Sequence, residues 1–229
     1  MSRYDDLFGM EDLVNNPCAR VPVCLCLDVS GSMEGRPIEE LKAGVDQFFA
    51  AIREDETALY SAEICMITFG DSVNLAVDFS TLDHISGVPQ IVADGGTPLG
   101  EAVNLALDKL ESRKEQYKSK GVDYYQPWLV LMTDGMPNGD YATLQRAIQR
   151  TCEMVNGRKL TVFPIGIGAE ASMEVLGRFS PRRAPLRLKG LNFREFFAWL
   201  SQSVSRTSQS LPGESVPLDL DGLKGWAEL

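Results

Sequence analysis

Short apolar runs alternate along the chain with segments of helical period. Val21–Leu27 is a nearly continuous apolar run, which is typical of a strand buried on both faces of a parallel sheet. Apolar residues then recur at helical spacing, at Ile38, Leu41, Val45, Phe48, Phe49 and Ile52. Further strands are predicted over Ile64–Phe69, Trp128–Met132, Leu160–Ile167 and Leu186–Leu188, and further helices carry Leu99–Leu110, Leu144–Val155 and Phe193–Val204.

This alternation predicts an α/β fold with a doubly wound, mainly parallel β-sheet and helices on both faces. Val73–Phe79 follows a Gly-Asp-Ser turn and is predicted to be an antiparallel edge strand. Glu111–Lys120 is so charged that we expect a solvated helix end and loop there. Asp140 and Ser172 are expected to cap helices, and Asn192 with Glu195 resembles a capping box.

Composition divides the chain into three parts. Residues 1–20 form an acidic N-terminal arm, 21–207 a single domain, and 208–229 a C-terminal tail after a stretch rich in Ser, Pro and Gly. The tail could pack back on its own domain or dock on a partner. The arm lacks the basic and apolar pattern of a secretory signal, so we expect a cytoplasmic protein.

Charge and cysteine usage narrow the functional classes. The 22 basic and 32 acidic residues give a formal net charge of −10, which argues against nucleic-acid and membrane-surface binding. No apolar stretch is long enough to span a membrane. The five cysteines include no Cys-x-x-Cys pair and His84 is the only histidine, so reduced, mostly buried thiols are favoured over a zinc site.

Oxygen-bearing side chains lie in three loops at the ends of predicted strands and helices. Asp28, Ser30 and Ser32 come directly after the first strand, Thr97 precedes a helix, and Asp134 follows the strand Trp128–Met132. Ligands of open α/β sheets bind where parallel strands end, so these side chains are expected to meet. Two carboxylates and several hydroxyls form a hard ligand set that suits Mg²⁺ best, with Mn²⁺ or Ca²⁺ as alternatives.

These residues resemble the metal-ion-dependent adhesion site of the von Willebrand factor A domain, whose pattern is Asp-x-Ser-x-Ser, then Thr, then Asp. All five positions match, in the contexts LDVSGSM, GGTPLGEA and LMTDGMPNGD. The resemblance implies that Ser30 and Ser32 ligate the metal directly. It also implies that Thr97 or Asp134 joins them according to the state of the domain, while Asp28 acts through water and hydrogen bonds.

Within the family, the chain looks like the bacterial TerY-like branch, which is associated with tellurite resistance and stress. That resemblance implies a non-enzymatic scaffold, without catalytic residues, that works beside a protein kinase and a PP2C-type phosphatase. An incompletely neutralised cation would capture a partner's Asp or Glu carboxylate. Side chains near the rim could contact the partner or simply be solvated: Glu34, Arg36, Pro37, Met136, Asn138 and Tyr141.

Two alternatives remain at this point. A phosphotransferase of the haloacid dehalogenase type also places an Asp after its first strand, but it needs a second Asp as general acid where this chain has Ser30. A regulatory subunit of an AAA+ or chelatase-type machine would keep the fold and change the partner.

Overall fold

A seven-stranded sheet forms the centre of the molecule. The computed structural model describes residue 13, residues 16–212 and residues 225–228. The sheet order is β3-β2-β1-β4-β5-β6-β7. The strands are β1 Val21–Asp28, β2 Ala62–Phe69, β3 Val73–Thr81, β4 Trp128–Thr133, β5 Thr161–Gly166, β6 Leu186–Leu188 and β7 Ala227–Glu228.

Helices connect the parallel strands and cover both faces of the sheet. They are α1 Arg36–Glu54, α2 Glu56–Ser61, α3 Leu99–Lys120, α4 Tyr141–Asn156, α5 Met173–Arg178 and α6 Phe193–Ser208, with a short 3-10 helix at Gly31–Met33. Strands β1, β2, β4, β5 and β6 run parallel, and β3 pairs antiparallel with β2. The predicted fold class is therefore confirmed.

The alternation of side chains along β1 divides the core into two layers. Val21, Val23, Leu25 and Leu27 pack on one face, in a layer completed by α1 and α6. Cys24 and Cys26 point to the opposite face, whose layer is completed by α3, α4 and α5. All five cysteines are free, and three of them, Cys24, Cys26 and Cys65, are buried.

The helix caps agree only in part with the sequence. Asp140 and Ser172 accept hydrogen bonds from the backbone of Thr143 and Val175, as predicted. Asn192 stands at the start of α6, but its side chain makes no capping hydrogen bond with the described residues. The capping-box prediction is therefore wrong.

The charged segment Glu111–Lys120 is also different from expectation. It continues α3 as regular helix, and Arg113, Lys114 and Tyr117 within it are buried. Arg113 and Tyr117 reach Glu63 at the beginning of β2, a residue that is fully buried as well. We call the edge of the sheet where β1 and β2 begin the amino edge, and the opposite edge the carboxyl edge.

Most of the predicted N-terminal arm lies outside the described residues, as do residues 213–224 of the predicted tail. At the end of the chain, Trp226 is buried and residues 227–228 form β7, which pairs antiparallel with β6. The described part of the tail therefore packs on its own domain. No described helix has the length and hydropathy needed to cross a membrane.

Candidate metal centre

Three loops meet at the carboxyl edge and are joined by backbone hydrogen bonds. The Val29 amide donates to the carbonyl of Phe69 at 2.8 Å, and the Asp94 amide donates to the carbonyl of Val29 at 2.8 Å. The Gly31 amide donates to the carbonyl of Gly95 at 3.0 Å. These bonds fix the loop after β1 against the loops that follow β2 and precede α3.

Glycine is required where these loops touch. A Cβ on Gly70 would lie 2.3 Å from the carbonyl oxygen of Asp94. Gly95 has a φ of +68°, and a Cβ there would lie 2.3 Å from the backbone of Asp71. Larger residues at either position would separate the loops that carry the candidate ligands.

Asp28, the last residue of β1, is the buried acid of the site. Its Oδ1 accepts a hydrogen bond from the Ser30 amide at 2.8 Å, and its Oδ2 accepts one from the Thr133 hydroxyl at 2.5 Å. Burial raises the pKa of Asp28, and hydrogen bonds from Ser30 and Thr133 oppose that shift. The nearby Asp134 carboxylate raises the pKa further.

The two serines and Asp134 form a continuous set of oxygens. The Ser30 and Ser32 hydroxyls are 3.0 Å apart, and the Ser32 hydroxyl donates to Oδ1 of Asp134 at 2.9 Å. Ser30 is buried, Asp134 is partly buried and Ser32 is exposed. The oxygens therefore lead from the buried Asp28 to the surface of the molecule.

Thr97 enters from the loop before α3. Its amide donates to Oδ1 of Asn138 at 2.8 Å, and the Asn138 amide donates to the Thr97 carbonyl at 3.2 Å. The Thr97 hydroxyl lies 3.7 Å from the position that a Cβ on Gly135 would occupy, next to Asp134. All five predicted residues thus lie at the same edge of the sheet.

The sequence did not predict the roles of two further residues of the site, Thr133 and Asn138. Thr133 holds Asp28, and Asn138 ties Thr97 to the loop after β4, although Asn138 was considered only as a rim residue. A hydroxyl one residue before Asp134 is the signal that could have identified Thr133. Nothing in the sequence pairs Asn138 with the backbone of a residue 41 positions away.

The donor set fits a hard cation. Hydroxyl and carboxylate oxygens from the loops after β1 and β4 lie within hydrogen-bond distance of one another, whereas the described residues contain no group of three or more His, Cys, Asp or Glu side chains that could hold a metal. Such an oxygen set, rich in neutral hydroxyls, suits Mg²⁺ or Mn²⁺ and leaves positive charge on a bound ion.

Comparison with known proteins identifies a family model that matches most of the chain. The family model of the von Willebrand factor type A domain matches residues 23–194. An uncharacterized protein of Synechocystis sp. is 24% identical over 163 residues, which cover 69% of this chain and 35% of that protein. The chain therefore spans about a third of the length of that curated relative.

Solved structures share the fold at low identity. A von Willebrand factor type A protein from Catenulispora acidiphila has a TM-score of 0.62 at 18% identity, covering 82% of this chain and 43% of that one. Proximal thread matrix protein 1 from the mussel byssus, solved with a zinc-occupied MIDAS motif, has a TM-score of 0.55 at 16% identity. That comparison covers 82% of this chain and 48% of the mussel protein.

Proposed function

The chain belongs to the von Willebrand factor type A domain family, and on that premise we propose that it is a non-enzymatic, metal-dependent protein-interaction module. One divalent cation, Mg²⁺ in our proposal, occupies the carboxyl edge. The bound ion supplies an open coordination position for a carboxylate oxygen of a partner's Asp or Glu.

The roles of the chain's residues follow from their burial and contacts. Ser30 and Ser32 are the direct ligands, since their hydroxyls are adjacent. Thr97 and Asp134 complete the set from two other loops. Asp28 is a positioning residue, because its two oxygens already accept hydrogen bonds from Ser30 and Thr133.

A single observation carries the proposal. The hydroxyl of the exposed Ser32 lies within hydrogen-bond distance of both Ser30 and Asp134, which come from different loops. Nothing in the hydrophobic core requires the side chains of Ser30 and Asp134 to converge on the exposed Ser32. A cation that needs several oxygens at once explains this convergence.

Calorimetric titration of chelator-treated protein with MgCl₂, MnCl₂ and CaCl₂ tests the metal. We expect one binding site in the wild type and none in the double variant Ser30→Ala/Ser32→Ala. Ser119→Ala is the matched control, because Ser119 is exposed on α3, where its hydroxyl donates to the carbonyl of Gln116. The control is expected to bind as the wild type does.

Uptake of metal by the double alanine variant with unchanged affinity would show that the site is elsewhere. Absence of metal uptake by the folded wild type would contradict the proposal altogether. Circular dichroism of each variant establishes that the sheet is intact before the titration is interpreted.

The partner is the finer part of the proposal. The likeness to the TerY-like branch supports a bacterial stress or tellurite-resistance system containing a protein kinase and a PP2C-type phosphatase. Affinity purification with Mg²⁺, in parallel with Asp28→Ala and with chelator, tests this assignment. Recovery of AAA+ or chelatase subunits instead would replace the partner while keeping the metal mechanism.

The site favours interaction over phosphoryl transfer. Ser30 stands where a haloacid dehalogenase-type enzyme needs a carboxylic acid, and its hydroxyl contacts Ser32. A serine hydroxyl does not supply a proton near neutral pH as a carboxylic acid does. Hydrolysis of a generic phosphate ester that is lost in Asp28→Asn would reverse this conclusion.

A further inference from the structure

A second polar site lies at the amino edge of β4 and β5, at the opposite end of the sheet from the candidate metal centre. It is a cavity of about 340 Å³, lined by residues that precede β4, open β5 and follow α5. Three arginines contribute to its wall, Arg158, Arg182 and Arg183. We call it the arginine pocket.

The charges of the arginine pocket are not compensated by acids. Among the residues that the structure describes, none of the three guanidinium groups forms an ion pair with a carboxylate. Arg182 donates to the carbonyl of Asn156 at the end of α4, at 3.1 Å. This concentration of positive charge is unexpected in a chain with a net charge of −10.

Arg183 is held in a position that disfavours its charge. Its guanidinium lies over the ring of Phe163, 4.8 Å from the centroid, and burial lowers the pKa of the group. A partly buried cation with only a ring and no acid beside it gains from an anionic ligand.

Arg158 occupies a backbone conformation that normally calls for glycine. The amide of Arg158 donates to Val155 and that of Lys159 to Met154, the hydrogen-bond pattern of a Schellman motif that ends α4. Arg158 has a φ of +55°, and the neighbouring Gly157 does not take the left-handed position. This conformation carries a cost, and Arg158 is one of the residues that line the arginine pocket.

The remainder of the wall provides neutral donors and an apolar surface. Ser180 and Thr161 contribute hydroxyls, and Gln126 contributes an amide. Leu160 and Val162 are among the apolar residues of the wall. The cavity is within the size range of small-molecule sites, so it has room for an organic group beside an anionic head.

From this geometry we propose that the arginine pocket binds a phosphate monoester, with its phosphate on the three guanidinium groups and its organic group against the apolar wall. Arginine matches phosphate oxygens by paired N–H donors, and three arginines suit a group that carries close to two negative charges. The ester belongs either to a small molecule or to a phosphorylated side chain of a protein.

Calorimetry of metal-stripped protein in low-salt Tris buffer tests the proposal. Removal of metal matters because a cation at the carboxyl edge would also attract phosphate. The ligands are inorganic phosphate, phenyl phosphate, benzoate and a short peptide containing phosphoserine. We expect saturable binding of the two esters, weaker binding of inorganic phosphate and benzoate, and loss of affinity on addition of NaCl.

Two variants and one control locate the binding. Arg158→Gly and Arg182→Gln are each expected to weaken phenyl phosphate binding roughly ten-fold. Arg158→Gly should leave Tm unchanged or raise it, because glycine accepts the left-handed conformation, so its weaker binding is not unfolding. Arg146→Gln removes an exposed charge of α4 outside the arginine pocket and should bind as the wild type does.

Each outcome decides a part of the proposal. Tighter binding of the peptide assigns the ester to a protein, tighter binding of phenyl phosphate assigns it to a small molecule, and both support the site. Benzoate binding as tight as that of phenyl phosphate, unchanged affinity in Arg158→Gly/Arg182→Gln, or no saturable binding would overturn it. None of these results depends on the metal, so the proposal fails or stands separately from the proposed function.

Discussion

Two buried carboxylates on neighbouring strands illustrate opposite uses of burial. Glu63 lies near the start of β2 and Asp28 at the end of β1, and both are fully buried. Glu63 accepts hydrogen bonds from Arg20 at 3.0 Å, from Arg113 at 2.6 and 2.9 Å, and from Tyr117 at 2.5 Å. Asp28 has hydroxyl and backbone amide donors and no cationic side chain among its described partners.

The difference separates a structural acid from a functional one. At the amino edge, two guanidinium groups compensate the charge of Glu63 within the fold itself. At the carboxyl edge, neutral donors position Asp28, and no described cationic side chain forms an ion pair with Asp28 or Asp134. A buried carboxylate without an internal cation is therefore the better guide to a ligand than burial alone.

The strongest way to test this comparison is to remove the charge of the structural acid. Glu63→Gln removes the carboxylate that Arg20 and Arg113 share, and it leaves the buried Arg113 without a carboxylate among its described partners. We expect the free energy of unfolding to fall by about 3 kcal/mol. Urea denaturation followed by circular dichroism measures the change. A loss below about 1 kcal/mol would mean that water already compensates the cluster.

The same substitution at the functional acid is expected to behave differently. Asp28→Asn keeps the shape and removes a charge that lacks an internal cation, so the stability of the metal-free protein should change by less than about 1 kcal/mol. The wild type should gain Tm on addition of Mg²⁺, because a ligand of the folded state stabilises it, and the variant should not. Equal Mg²⁺ stabilisation of both proteins would remove the distinction between the two acids.

A matched pair of hydroxyl deletions tests the same comparison with a smaller expected change in stability. Tyr117→Phe and Thr133→Val each remove one hydroxyl donor from a buried carboxylate, and each should cost about 1 kcal/mol in urea denaturation. Only Thr133→Val is expected to lower metal affinity, roughly ten-fold, because it releases the positioning residue Asp28. Lower metal affinity in Tyr117→Phe would indicate that the two edges are coupled through the sheet.

Thiol reactivity provides the smallest readout and checks that the sheet between the two edges is intact. Burial raises the pKa of the Cys26 thiol. The pKa of the Cys65 thiol is raised mainly by a hydrogen bond with Cys24 and also by burial. In the native protein these thiols should react slowly with a chromogenic disulfide reagent, while the partly exposed Cys18 and Cys152 react first. We expect faster reaction of the buried thiols in Glu63→Gln and no change in Asp28→Asn.

Local patterns predicted the fold and most of the carboxyl edge. Strands such as β1 are marked by unbroken apolar runs, and the residues of the loop after β1 stand within five positions of one another. Strand direction then brings Asp134 to the same edge, whereas Thr97 returns to it through the connection between the antiparallel β3 and α3. Together with the match to the Asp-x-Ser-x-Ser, Thr and Asp pattern, this makes all five candidate ligands predictable from the sequence.

The amino edge could not be predicted in the same way. Arg113 and Tyr117 lie in a segment whose charge indicates solvent, and they are buried only because Glu63, 50 and 54 residues earlier, takes up their donors. Hydrophobic periodicity treats an arginine as exposed and contains no information about such a partner. The arginine pocket could not be predicted from the sequence either, because its residues come from three separated segments.

The last described residues cover the outer strand β6 of the sheet. Trp226 packs against Phe196 and Trp199, with ring centroids 5.5 and 5.9 Å apart, and β7 then lies along the outer side of β6. Deleting these residues would expose the backbone hydrogen-bonding groups of β6 and the aromatic side chains that Trp226 covers. An exposed strand beside apolar side chains promotes pairing between sheets of separate molecules. We therefore expect residues 225–228 to limit aggregation, and truncated variants that lack them should aggregate more readily than the full chain.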